Sequence, residues 1–147
     1  MVRDLWRRLT QSAAAPLAAE TEQLALAVLM VRLARADGHY TPDESARIER
    51  VLCTRYGLSP EGARRCRLEA ETEEAEAPDT VRYTRALKEA VPVEERAGLL
   101  EALWSVALSD GGRDAQEDSL MRLVVPLLGL TDVDSGLARQ RVLRRLE

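Results

Sequence analysis

Four acidic residues stand out by type and spacing: Asp37, Glu44, Asp110 and Glu117. Asp37 and Asp110 each precede a glycine, and each ends an apolar stretch with helical periodicity. A carboxylate at the C-terminal end of a helix faces the negative pole of the helix dipole. That placement occurs twice here, and a bound cation is one physical reason for it. Glu44 and Glu117 follow seven residues later in each case, at the start of the next helix and within reach of the loop. Brought together, the four carboxylates would offer only oxygen donors. Such a set suits Ca²⁺, Mg²⁺ or Mn²⁺ and suits zinc poorly. Asp43, Asp114 and Asp118 are secondary candidates. These loops are not EF-hands, because the twelve-residue alternation of oxygen ligands and its central glycine are missing.

A purely structural reading stands beside this one. Glu44 completes a capping box with Thr41, and Glu117 does the same with Asp114. Asp-Gly is also a common turn after a helix. His39, the only histidine, falls opposite Gly112 in the second loop, so it reads as an exposed loop residue. With one histidine and no paired nucleophile, Ser/His or Cys/His catalysis has no footing. No glycine-rich phosphate loop is present. A hydrolase built on the four carboxylates alone has little support, and the chain is expected not to be an enzyme.

The elements that must hold these residues are helical. The pattern predicts about eight helices and no strand. The first is a short, weakly basic amphipathic helix over residues 2–11, read as docking on the body, with peripheral membrane attachment as the weaker reading. The second, from 16 or 20 to 36, is apolar nearly all round and is expected to be central. The third opens at Thr41-Pro42 and stops at Gly57-Leu58. The fourth starts at Ser59-Pro60. Its arginines precede its glutamates, which opposes the dipole, so residues 69–79 read as a frayed, solvated joint. The fifth covers 79–90. The sixth opens at Pro92 and is the second near-apolar helix. The seventh covers 115–128 with a bend at Pro126, and Thr131 caps the eighth. The arginines that end the eighth, from Arg139 to Arg145, read as a solvated face.

The two halves repeat. Asp37-Gly38 and Asp110-Gly111 lie 73 residues apart, and Thr41, Glu44, Ile48, Val51 and Leu52 meet Asp114, Glu117, Met121, Val124 and Val125 at that same offset. Gly57-Leu58-Ser59 then meets Gly129-Leu130-Thr131 after a one-residue loss. Repeat A spans about 20–77 and repeat B about 92–146. Each half alone would expose too much Leu and Val. The expectation is therefore a single all-α bundle over 1–147, with two helix–loop–helix repeats related by a pseudo-twofold axis.

Composition bounds the rest. Aromatics make up 3% of the 147 residues and Phe is absent, so the core must be Leu, Val, Ala and Met. The net charge of −4 and the lack of a long basic block argue against nucleic-acid binding. No secretory signal and no membrane-length apolar run is seen, which points to the cytoplasm. Cys53 and Cys66 lack metal-ligand spacing and read as inert thiols.

The segments around Ala34-Arg35-Ala36-Asp37-Gly38, with Asp43-Glu44 and Ile48, and around Ala107-Leu108-Ser109-Asp110-Gly111, with Glu117, resemble the TerB-like family. That family includes tellurite-resistance proteins and the related N-terminal region of the DjlA co-chaperones. The resemblance runs from about residue 20 to about residue 138. It implies an all-helical bundle with acidic loop residues that bind metal, which fall on Asp37, Glu44, Asp110 and Glu117. Gln116 stands where the first copy has Asp43, which leaves fewer ligands in the second half. The leading expectation is a cytoplasmic, non-enzymatic, stress-related protein that binds a divalent cation. The alternative is a helical interaction module with no metal. In that second reading the arginine-rich termini would dock a protein partner or a membrane surface.

Overall fold

The structure, a computed structural model, describes residues 19–36, 38–77, 79–109 and 115–146, apart from the side chains of 19, 20, 115–117 and 146. Within these residues the chain forms seven α-helices, one 3₁₀ turn and no strand. They are α1 (Ala19–Arg35), α2 (Pro42–Tyr56), α3 (Pro60–Glu76), α4 (Val81–Ala90), the 3₁₀ turn Val93–Glu95, α5 (Ala97–Ala107), α6 (Ala115–Leu127) and α7 (Asp132–Leu146). The amphipathic helix expected at residues 2–11 lies outside the described residues.

Helix α1 is the axis of the fold. Residues 25–31 are all buried to 1% exposure or less, which requires neighbours on every side. Those neighbours are α2, α3, α4, α5 and α6. Helix α5 is the second apolar helix; Leu99, Leu100, Leu103 and Val106 line its core face. It packs against α1, α2 and α7. Burying these aliphatic side chains drives the assembly, at roughly 1.5–3 kcal/mol for each fully buried one.

Local signals set the helix ends. Thr41 and Glu44 form the expected capping box: Glu44 N–H donates to Thr41 Oγ1 at 3.1 Å, and Thr41 N–H donates to Glu44 Oε1 at 2.9 Å. Gly57 stops α2 at φ 67°, a left-handed conformation that costs a glycine nothing. Thr131 and Asp134 form a second capping box at α7. Pro92 does not open α5 directly. A 3₁₀ turn intervenes, and Arg96 gathers this corner by donating to the carbonyls of Lys88 and Val91, at the end of α4.

Helix α3 departs from expectation. It runs unbroken to Glu76, and three of its glutamates are not in a solvated joint. Glu73 is buried, and it accepts from the Tyr83 hydroxyl at 3.3 Å. Glu74 pairs with Arg35 at 2.6 Å and lies 3.9 Å from Arg32. Glu71 accepts from Tyr40 and Arg67. Positive charge from Arg32 and Arg35 on α1 and from Arg67 on α3 itself, with the Tyr40 hydroxyl, thus offsets the local repulsion. The arginines of α7 are also partly docked: Arg141 donates to Glu101 at 3.0 Å, and Arg139 lies over the Trp104 ring.

Candidate functional site

The first Asp-Gly loop is built by three elements. Helix α1 delivers Arg35 and ends there. Gly38 turns the chain at φ 82°, and its N–H donates to the Arg35 carbonyl at 3.0 Å. The capping box of α2 then receives the chain. Glu44 is the one member of the predicted quartet whose side chain the structure describes. It is 1% exposed, an unusual burial for a carboxylate. Capping accounts for Oε1, which accepts from both the backbone N–H and the hydroxyl of Thr41, at 2.9 and 3.1 Å. Glu44 thereby folds back onto the loop that Asp37 belongs to.

Asp37 and Asp110 lie outside the described residues. Glu117 sits in the first turn of α6, and its side chain lies outside them too. Among the described residues, no group of three or more His, Cys, Asp or Glu side chains is arranged to hold a metal ion. Asp43 is exposed, as is His39; Asp118 is half-buried on α6, and Asp114 is outside the described residues. By donor chemistry the quartet fits a hard cation, since all its atoms on offer are carboxylate oxygens.

Sequence reasoning missed the brace beside this loop. Tyr40 donates its hydroxyl to Glu71 Oε2 at 2.8 Å. Arg35 stacks over the Tyr40 ring with its guanidinium carbon 5.4 Å from the centroid. The same Arg35 donates to the Glu71 carbonyl at 3.2 Å and to Glu74. Arg67 joins Glu71 to Glu49, the latter at 2.6 Å. Burial, and then the bond to Glu71 and its charge, push the Tyr40 phenol above its usual range. The loop is therefore clamped from the α3 side while its capping carboxylate is buried on the α2 side. The available signal was the run of glutamates on α3, which needed counter-charges from somewhere.

Together these features define a class: a small all-α domain with an Asp-Gly loop at the end of its buried central helix and a capping carboxylate folded against it. The chain matches the family described as Tellurite resistance protein TerB over residues 23–140, most of its length, and it belongs to that family. Comparison with curated proteins and with solved structures gives no match. No helix among the described residues is long and apolar enough to cross a membrane.

Proposed function

We propose that this TerB-family protein is a non-enzymatic, cytoplasmic, stress-related binder of a divalent cation, held by Asp37, Glu44, Asp110 and Glu117. The observation that carries the reading is the burial of Glu44. A carboxylate taken out of water costs free energy unless something compensates it. Its bond to the Thr41 N–H holds this buried carboxylate at the Asp-Gly loop, where its oxygens and those of the neighbouring acidic residues would suit a hard cation. The paired position of Asp37 and Asp110, each at the unfavourable end of a helix dipole, supports the same reading. The protein's part would be to fix the carboxylates and exclude bulk water, with no bond made or broken.

Calorimetric titration of the full chain with Ca²⁺, Mg²⁺ and Mn²⁺ tests this. Saturable binding below about 1 mM is expected for at least one ion, within the range of known weak Ca²⁺ modules. Asp37→Asn with Asp110→Asn should abolish it. An absence of binding by the wild-type chain would leave the metal-free interaction module as the reading.

A further inference from the structure

A second charged feature lies between α2 and α5. Helices α2 and α5 flank an open groove of about 360 Å³, which Arg145 of α7 also lines. Four arginines line it, Arg47, Arg50, Arg55 and Arg145, against the single carboxylate of Glu101. That carboxylate is already taken by Arg141 and Arg145. Arg55 lies 3.8 Å from Glu22. Among the described residues, no carboxylate pairs with Arg47 or Arg50. The two sit three residues apart on one face of α2, with Thr54 a turn further along that face.

Arg47 is half-buried, and burial together with the Arg50 charge disfavours its protonated form. Holding two like charges side by side without a counter-ion is unfavourable. The groove also has hydroxyls from Thr54 and Ser105, and an apolar floor at Val51 and Ala102. Gly98 leaves room for one wall: a Cβ there would lie 3.0 Å from Arg55 Nη1.

We propose that this groove binds a small soluble anion bearing a phosphoryl group. Guanidinium forks match phosphate oxygens in pairs, and two arginines without carboxylate partners call for a ligand of more than one negative charge. The volume is that of a small-molecule pocket. A nucleic-acid polymer fits less well, because it needs an extended basic track and this chain carries a net charge of −4.

The test is titration of the ¹⁵N-labelled full chain with inorganic phosphate and with pyrophosphate, followed by amide and arginine side-chain shifts. Saturable shifts confined to residues around Arg47, Arg50 and Ser105 are expected, with pyrophosphate tighter than phosphate. Arg47→Gln with Arg50→Gln should weaken pyrophosphate at least tenfold. Neither residue makes a described ion pair, so circular dichroism should be unchanged; Arg50→Gln alone, at an exposed position, is the fallback. Arg64→Gln on the outer face of α3 should have no effect. Shifts spread over all surface arginines, or equal affinity in the double variant, would overturn the proposal. So would co-sedimentation with phosphatidic-acid vesicles without any pyrophosphate binding.

Discussion

Tyr40 donates its hydroxyl to Glu71 Oε2 at 2.8 Å, which fastens the end of the first Asp-Gly loop to the middle of α3. The contact joins residues 31 positions apart and orders a loop that its own sequence would leave to a turn. Arg35 and Arg67 complete the brace from α1 and α3.

Tyr40→Phe removes one donor and leaves Glu71 with Arg67. A hydrogen bond to a charged group contributes about 1.5–3 kcal/mol, and partial exposure discounts this. The expected loss is about 1–2 kcal/mol in urea unfolding, with faster amide exchange at residues 38–44 than elsewhere. Unchanged exchange in that segment would show that the brace does not order the loop.

The alkaline limb of stability follows from four groups. Burial, and then the Glu69 charge, raise the Cys66 thiol from 9.0 to about 11. Tyr83 is pushed up to about 12, chiefly by burial and then by the Glu73 charge. Tyr40 and Tyr56 are raised as well, burial leading in both. Each group holds its proton more tightly when folded. The unfolded chain thus releases protons first, and stability falls as pH rises. Stability should be unaffected by these groups below about pH 8.5, begin to fall through Cys66 from about pH 9, and fall more steeply above about pH 10 through the tyrosines. In Cys66→Ala the onset should move up to about pH 10. Urea unfolding at a series of pH values measures both.

Trp104 and Ser135 make a buried contact between α5 and α7, with indole Nε1 donating to Oγ at 3.0 Å. Ser135→Ala would strand a buried N–H at a cost of about 1–3 kcal/mol. The unfolding midpoint in urea should fall with an unchanged slope. A change within error would mean that the indole finds another acceptor.

Much of the fold was legible because its signals are local. The capping box at Thr41, the stop at Gly57 and the all-round apolar character of α1 are each contained within one or two turns. The path of α3 was not legible, for a physical reason. Its glutamates were weighed against their own helix, where repulsion and the dipole oppose them. Their partners Arg35 and Tyr40 stand 39 and 31 residues away from Glu74 and Glu71. A pattern within one helix carries no information about partners that come from other elements. The arginines of α7 were misjudged likewise, because Glu101 and Trp104 come from α5. At the candidate site, the capping role of Glu44 was visible in Thr41-Pro42-Asp43-Glu44. Its near-complete burial was not, since that depends on how α2 packs.

Glu44→Gln separates the cap seen at that residue from the cation-ligand role proposed for it. The amide oxygen still accepts from Thr41, so α2 should lose less than about 1 kcal/mol. Cation affinity should fall at least tenfold, because a neutral amide is a weaker ligand than a carboxylate. Calorimetry and thermal melts on the same sample give both numbers. Equal losses of stability and no change in affinity would make Glu44 a cap alone.

Paramagnetic broadening by Mn²⁺ tests the cation reading most directly, because it reports where the ion sits. Substoichiometric Mn²⁺ added to the ¹⁵N-labelled full chain should broaden amides at residues 38–44 and 115–118 together. The Asp37→Asn, Asp110→Asn variant should lose that broadening. Broadening confined to the exposed glutamates of α3, or none at either loop, would contradict the account.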